Sequence, residues 1–370
     1  MRRRVLVARL DSAGDVLLAG PAVRAIAAGD HGDSPNDVVM LCGPQGAAAA
    51  RLLPGVVDVI TWSAPWIVDP APEPTPGLVA ELHDAVVAVG ADEAVILTSF
   101  HQSPLPLALL LRLAGVRRIA GASVDYAGSL LDVRLKPGED FPEDQPEAER
   151  ALGIAEAAGY VLPPGDDGRL QVANLAGADE LAALVGSGPY VVVHPGASVP
   201  ARAWPPLHHA AAVELLTATG FRVVVTGGPG ETELTSTVAG PEALDLGGRT
   251  DLPVLGAVLA GASVVITGNT GPAHLAAAVG TPVVCLFSPV VPAVRWAPYR
   301  VPVELLGDQN APCALSRARI CPVQGHPCLS NVSPEDVVDA ALRLSSGISS
   351  LGSRRSIGRT DGRRTPRGNR

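Results

Sequence analysis

The sequence predicts an α/β protein built from two doubly wound parallel sheets. Short β-branched runs (RVLVARL, DVVMLC, EAVILTS) alternate with alanine- and leucine-rich stretches of helical period in the first half of the chain. The alternation resumes in the second half with YVVVHP, FRVVVTGG, SVVITG and PVVCLF. Continuous apolar runs are typical of strands that are buried on both faces, and their alternation with helices is typical of parallel sheets.

Two domains are expected, because 370 residues exceed what one hydrophobic core usually serves. Helical patterns follow the first and third strands at 15–28 and 104–114, and another helix is predicted from Glu147 to Gly159 between two loop-rich segments. We predict a first Rossmann-like domain at residues 1–175 and a second at 176–333. A C-terminal helix is predicted at 334–347 and a disordered, arginine-rich tail at 348–370.

Composition excludes several classes of protein. Hydrophobic residues make up 47% of the chain and charged residues 18%, which argues against general disorder. Lys136 is the only lysine and is followed by Pro137 in a loop-like stretch, so Schiff-base chemistry is not expected. The net charge is −9, and we expect no nucleic-acid partner. The basic tail is interpreted first as solvated and only second as a lipid or nucleic-acid contact.

Membrane insertion and disulfide bonding are not expected. No run of about 18 apolar residues lacks a breaker, and Asp11 interrupts the opening segment before a signal-peptide core can form. We therefore expect a cytoplasmic protein with at most a peripheral contact at the inner face of the membrane. Three of the five cysteines cluster near His326, at spacings unlike paired CxxC motifs, so simple packing is favoured over structural metal. These are Cys313, Cys321 and Cys328.

The first candidate site follows the first strand, where Arg9-Leu-Asp-Ser-Ala-Gly-Asp15 forms a small-residue turn before a helix. In open α/β sheets, ligands bind at the carboxyl ends of strands, where backbone NH groups of the next helix point at them. Asp15 is interpreted either as an early-turn acid that stabilises the helix or as a base that faces a cleft.

Two further motifs follow strands of the second half. In His194-Pro-Gly-Ala-Ser198, Gly196 permits close backbone approach and Ser198 can donate to a phosphate. Arg202 follows and can grip phosphate oxygens, although a strand-to-loop turn with a surface arginine is the plainer interpretation. The glycine-rich turn from Gly227 to Glu231 lacks the P-loop ending, and Glu231 is either a helix N-terminal acid or a ribose ligand.

The most informative motif is Thr267-Gly-Asn-Thr-Gly-Pro-Ala-His-Leu-Ala-Ala-Ala278, after the strand SVVIT. Thr270 and Gly271 lead into a helix that Pro272 opens, so free NH groups converge where a diphosphate could bind. His274 lies in the first turn and is either a ligand-side residue or part of the core.

Together these motifs resemble glycosyltransferase family 9, the heptosyltransferase-like enzymes, in order and across most of residues 4–340. The opening pattern of that family is echoed at Arg9, Gly14, Asp15 and Pro21. The later patterns are echoed at 194–198 (HPGAS), Arg202-Ala-Trp204-Pro205, Gly227–Glu231, 271–278 and the segment from Cys313 to Leu329.

The resemblance implies a GT-B fold, with acceptor contacts in the first domain and a nucleotide-diphosphate sugar in the second. It implies inverting, metal-independent transfer of heptose or a related sugar, from an ADP-linked donor to a glycan or glycolipid hydroxyl, without a cofactor. It makes Asp15 the general base. The acceptor side would comprise Arg9, Asp11, Ser12 and Gly14, and the donor side His194, Gly196, Ser198, Arg202, Glu231, Asn269, Thr270, Gly271, Pro272 and His274.

Two positions depart from the family pattern. Asn269 stands where the family usually has Asp, and Arg202 stands where it usually has Lys. A non-catalytic nucleotide-sugar binder, favoured by Asn269, and a nucleotide-sugar epimerase of GT-B fold remain alternatives. A dinucleotide oxidoreductase ranks below both, because GxGxxG is missing after the first strand.

Overall fold

A computed structural model describes residues 2–29 and 35–355 and shows two six-stranded sheets, each parallel throughout. The first sheet has the order β3-β2-β1-β4-β5-β6 and the second β12-β11-β10-β7-β8-β9. The strands are β1 Arg4–Arg9, β2 Asp37–Cys42, β3 Val56–Thr61, β4 Glu93–Ile96, β5 Arg118–Ala122, β6 Val133–Leu135, β7 Val191–His194, β8 Val223–Val225, β9 Leu244–Asp245, β10 Val264–Gly268, β11 Val283–Leu286 and β12 Val303–Leu306.

Helices connect the strands and cover both faces of each sheet. They are α1 Ala13–Leu18, α2 Gly20–Ala28, α3 Ala47–Ala50, α4 Pro76–Val89, α5 Leu105–Leu113, α6 Glu147–Ala157, α7 Ala178–Val185, α8 Pro206–Ala218, α9 Thr232–Ala239, α10 Leu252–Ala260, α11 Gly271–Ala278, α12 Ala293–Trp296, α13 Pro327–Ser330 and α14 Pro334–Arg355. None of the helices in the described ranges is both long enough and apolar enough to cross a membrane.

Both faces of the central strands are buried, as the continuous apolar runs predicted. In β1, Leu6 and Ala8 belong to the hydrophobic core beneath α4 and α5. Val5 and Val7 point the other way, into the core that includes α1, α2 and α6. This alternation follows from the two-residue period of a strand, with a helical layer on each side of the sheet.

The chain passes from one sheet to the other near residue 175, the boundary that we propose between the domains. The backbone NH of Ala173 donates to Leu52 O of the first sheet's layer at 2.8 Å. Three residues later, the NH of Ala176 donates to Pro253 O beside the second sheet at 3.3 Å.

Two helices differ from the sequence expectation. The segment 15–28 is not one helix, because α1 ends at Leu18 and α2 starts at Gly20. Pro21 has no NH to donate to the preceding turn, which accounts for the break. The predicted end of the last helix at 347 is wrong, since α14 continues to Arg355. No proline occurs between Pro334 and Pro366 to stop it. The rest of the predicted tail, 356–370, lies outside the described residues.

Candidate active site

A cleft of about 580 Å³ lies between the two sheets, at the point where the strand order of each sheet reverses. In the first sheet this point falls between β1 and β4, and in the second between β7 and β10. Loops after adjacent strands at such a point diverge to opposite faces of the sheet and leave a crevice that binds ligands. Residues that follow all four strands line the cleft: Asp11–Asp15, Ser99–Gln102 in part, Ser198–Arg202 in part, and Asn269–His274 in part.

Arg9 organises the first-domain wall of the cleft. Its guanidinium is buried at the end of β1 and lies 2.9 Å (Nε) from an Asp11 carboxylate oxygen and 3.0 Å (Nη2) from Asp15 Oδ1. The same Nη2 donates to Ser99 Oγ at 2.7 Å. Arg9 therefore lies beneath the cleft rather than on its wall, and it orients the carboxylates that face inward.

Asp15 is held in one orientation at the start of α1. Arg9 binds one carboxylate oxygen, and Ser12 Oγ donates to the other at 2.8 Å. Burial raises the pKa of the Asp15 carboxyl. The combined lowering by Arg9, Ser12 and His274 is larger, so the net shift of the pKa is downward. Asp15 is accordingly ionised at neutral pH and able to accept a hydrogen bond from a hydroxyl group in the cleft.

Asp11 differs from Asp15 although both contact Arg9. Burial raises the pKa of the Asp11 carboxyl and outweighs the lowering effect of Arg9, while the charge of Asp15 raises it further. Gln102 donates to Asp11 from the loop after β4. The two carboxyl groups therefore share one guanidinium but differ in pKa, and Asp15, with the lower pKa, is the one that stays ionised to lower pH.

The second-domain wall carries positive charge and free donors. Thr270 and Gly271, at the start of α11, line the cleft, and the first NH groups of a helix have no partner within the helix. Arg202 lines the same wall, and its Nε is buried without a hydrogen-bond partner in the described part of the chain. Such an orphaned cationic donor beside a helix N-terminus is suited to bind phosphate oxygens.

His274 joins the two walls. It is buried in the first turn of α11, and burial lowers its pKa to about 4 although Asp15 opposes the shift. The imidazole is therefore neutral at neutral pH, and its Nδ1 finds no hydrogen-bond partner among residues 2–29 and 35–355. Unpaired buried polar atoms are costly, so a ligand that gives partners to His274 Nδ1 and Arg202 Nε would be favoured at this wall.

Several residues predicted from sequence lie behind the cleft. His194 is buried with Nδ1 3.0 Å from Thr226 Oγ1, and burial lowers its pKa to about 4. Glu231 accepts from the backbone NH of Gly228 at 2.7 Å, and its carboxylate lies where a side chain on Gly196 would stand. The cleft wall itself contains Asp11, Ser12, Gly14, Asp15, Ser198, Arg202, Asn269, Thr270, Gly271 and His274, whereas Arg9, His194, Gly196, Glu231 and Pro272 are not on it.

Sequence reasoning missed the loop after β4 and the segment after β11. Ser99, His101 and Gln102 line the cleft, and the polar run that follows EAVIL at a strand end could have indicated them. Trp296, Arg317 and Arg319 contribute from farther along the chain, as do Gln45, Val199 and Val291. No local pattern places these residues, since the cleft forms only when the two sheets face each other.

The cysteine cluster takes part in packing. Cys313 and Cys328 are buried in the core of the second sheet, and Cys321 packs against its edge. All five cysteines are free thiols. Among the residues that the structure describes, no group of three or more His, Cys, Asp or Glu side chains is arranged to hold a metal ion.

Replacing Gly14 with Ala is expected to disturb the contact between α1 and α11. A Cβ at Gly14 would lie 2.8 Å from His274 Cδ2 and 3.4 Å from Gly271 Cα, so the two helices must shift apart. Gly153→Ala in α6 is the matched control, because its Cβ would meet nothing within 4 Å and should stabilise by about 0.5–1 kcal/mol. Urea unfolding tests this: G14A should be less stable than wild type and G153A more stable. Equal stabilisation by both substitutions would contradict the close contact.

The fold and the cleft together define the class of protein. Two doubly wound parallel sheets face each other across a ligand cleft that their switch-point loops form, which is GT-B architecture.

Comparison with known proteins agrees with this class. The family model "Glycosyltransferase family 9 (heptosyltransferase)" matches residues 100–326. A lipopolysaccharide heptosyltransferase 1 from Pseudomonas aeruginosa is 32% identical over 229 residues, which cover 60% of this chain and 62% of that protein. The curated relatives are matched over 34% to 62% of their own length, which is less than two thirds.

Solved structures extend the similarity across the fold. The family 9 glycosyl transferase of Veillonella parvula has a TM-score of 0.73 at 16% identity, covering 93% of this chain and 98% of that one. An Escherichia coli heptosyltransferase with ADP-2-deoxy-2-fluoro heptose has a TM-score of 0.65 at 20% identity, covering 91% and 98%. The chain belongs to glycosyltransferase family 9, which confirms the resemblance and the fold predicted from its sequence.

Proposed function

We propose that this protein is an inverting, metal-independent glycosyltransferase. It transfers heptose or a related sugar from an ADP-linked donor to a hydroxyl of a lipopolysaccharide-type glycolipid. The observation that carries this proposal lies across one cleft: an ionised carboxylate on the first domain faces a helix N-terminus and an arginine on the second. The Nε of that arginine has no hydrogen-bond partner among the described residues. The first group suits a general base, and the second suits a diphosphate leaving group.

In the proposed reaction, Asp15 accepts the proton of the acceptor hydroxyl. The acceptor oxygen attacks the anomeric carbon as the bond from that carbon to the diphosphate oxygen breaks. Attack from the face opposite the leaving group inverts the anomeric configuration. The electron pair of the broken bond leaves with the diphosphate, whose negative charge Arg202 and the NH groups of α11 neutralise.

The other donor contacts follow from this placement. Ser198 is exposed on the loop after β7 and can donate to a phosphate oxygen. Glu231 is proposed to accept hydrogen bonds from ribose hydroxyls. Its carboxylate lies beside Gly196, which belongs to the same loop after β7 as Ser198. Asn269 is buried on the cleft wall. We assign it to the sugar end of the donor.

The identity of donor and acceptor is inferred from the relatives. The solved E. coli heptosyltransferase was determined with an ADP-heptose analogue, and the curated relatives are lipopolysaccharide heptosyltransferases. By extension, the protein acts in lipopolysaccharide core biosynthesis at the cytoplasmic face of the membrane. A glycolipid acceptor brings the membrane surface to the cleft and requires only a peripheral contact.

The proposal is tested by a transfer assay with ADP-heptose and heptose-deficient lipopolysaccharide. Mass spectrometry of the glycolipid should show the addition of one heptose, with ADP released in equal amount. A reaction mixture without the protein provides the background rate. Wild-type transfer no faster than this background would overturn the assignment as a lipopolysaccharide heptosyltransferase.

A further inference from the structure

Arg9 contacts a third carboxylate besides those of Asp11 and Asp15, and this one belongs to none of the sequence motifs. Glu147 Oε2 lies 3.4 Å from Arg9 Nη2 and 3.5 Å from Nη1, and Glu147 does not line the cleft. The same Nη2 is 3.0 Å from Asp15 Oδ1. One nitrogen therefore lies between the Asp15 carboxylate and the Glu147 carboxylate.

The position of Glu147 is fixed by packing. It is the first residue of α6, and only 1% of its surface is exposed, because α6 packs against α1 and α2. Long charged side chains are rarely buried to this extent without a partner. The helix start and the Arg9 guanidinium together stabilise its negative charge.

The charged groups that face Glu147 are few. Arg9 of β1 and Arg150 of α6 favour its ionised form, and Asp15 of α1 disfavours it. On the neighbouring elements, Arg24 of α2 pairs with Asp166 and Arg118 of β5 pairs with Glu93, so both are engaged elsewhere. Glu147 is thus coupled to the cleft mainly through Arg9.

We propose that Glu147 is a positioning residue for the reaction assigned to Asp15. Through Arg9 it fixes the Asp15 carboxylate, and while Glu147 is ionised its negative charge keeps Asp15 basic. This inference rests on the proposed function. When Glu147 is neutral, Arg9 binds Asp15 without competition, and the Asp15 carboxylate accepts a proton less readily.

A pH dependence follows from this coupling. Burial raises the pKa of the Glu147 carboxyl above its usual value, whereas the pKa of Asp15 is lowered. As the pH falls, Glu147 therefore takes up a proton before Asp15 does. The acid side of the pH–rate profile should then report Glu147, with a partial loss of rate, rather than Asp15. Burial also raises the pKa of Asp11, but Asp11 is present in wild type and E147Q alike, so the ratio of their rates isolates Glu147.

The test compares Glu147→Gln with Glu149→Gln in the same transfer assay between pH 5 and about 9. Both substitutions remove one negative charge from the first turn of α6. Glu149, however, accepts from Tyr299 Oη at 3.0 Å and does not contact Arg9. E147Q should reduce turnover at high pH by roughly threefold to tenfold with unchanged ADP-heptose affinity. The ratio of wild-type to E147Q rates should approach one as the pH falls. For E149Q the ratio should stay constant.

A wild-type to E147Q ratio that does not change with pH would overturn the proposal, because a merely structural role lowers the rate equally at every pH. If E147Q does not fold, Glu147→Asp can be measured instead, because it retains the charge. E147D should keep the partial loss of rate on the acid side of the pH–rate profile, and a rate that does not change with pH would also overturn the proposal. Failure of the proposed function is distinguishable, since the wild-type protein would then transfer no heptose above the background. Failure of the base assignment would appear separately, as an Asp15→Asn rate equal to that of wild type.

Discussion

Replacing Asp15 with Asn is expected to lower turnover by at least about 100-fold while ADP-heptose affinity stays near that of wild type. Asn has nearly the same shape and can still contact Arg9 and Ser12, but its amide cannot accept the proton of the acceptor hydroxyl. The remaining rate comes from positioning and from neutralisation of the leaving diphosphate. Single-turnover transfer and calorimetric donor titration measure the two quantities separately.

Asp84→Asn is the matched control for this substitution. Asp84 is 82% exposed on α4 and does not line the cleft, so D84N should leave both turnover and donor affinity unchanged. An Asp15→Asn protein that retains wild-type turnover would remove Asp15 from the mechanism, and the cleft would need another base.

Replacing Arg202 with Ala is expected to weaken ADP-heptose binding by about 10- to 100-fold. Burial lowers the pKa of the Arg202 guanidinium, which nevertheless remains cationic, and its Nε has no hydrogen-bond partner in the described residues. The donor's diphosphate is proposed to supply that partner. Truncation to Ala removes the positive charge and the N–H donors of the guanidinium that would bind the phosphate oxygens.

Two further variants make the Arg202 result specific. Arg202→Lys retains the positive charge but not the planar guanidinium, and it should bind the donor with intermediate affinity. Arg319→Ala removes an exposed arginine from the cleft rim, where it pairs with Asp69 at 3.1 Å, and should change donor affinity by less than about threefold. Equal donor affinity in wild type and R202A would exclude Arg202 as a diphosphate ligand.

The sequence predicts the fold and much of the cleft because both depend on local pattern. Apolar runs locate the strands, and small polar turns at strand ends locate Asp15, Ser198 and Thr270 before any packing is known. The switch-point rule then brings these turns together, since they follow β1, β7 and β10.

What the sequence does not predict is the set of partners that come from distant segments. Glu147 meets Arg9 across 138 residues of chain, and no spacing or motif connects them. Gly14 illustrates the same point: its motif position is evident, but its contact with His274 exists only because α1 and α11 meet between the domains. Backbone breaks such as that at Ala19 depend on a single Pro21 and are similarly hard to foresee.

The positions of Glu231 and His194 behind the cleft also required the structure. Sequence alone placed both at strand ends, where a ligand contact and a structural role look the same. In the fold, Glu231 binds the Gly228 NH and His194 lies against Thr226. The ribose contact of Glu231 therefore stays a prediction, and an effect of Glu231→Gln on nucleotide affinity at unchanged melting temperature would support it.

The central claim, that the cleft binds a nucleotide-diphosphate sugar, is tested most directly by thermal unfolding with ADP-, GDP-, UDP- and dTDP-sugars. A ligand at about 100 times its dissociation constant stabilises the folded protein by about 2.7 kcal/mol, which is readily seen as a rise in melting temperature. We predict a selective rise with ADP-heptose, and a smaller rise with Arg202→Ala at the same ligand concentration. No rise with any of the four nucleotide classes would contradict the account.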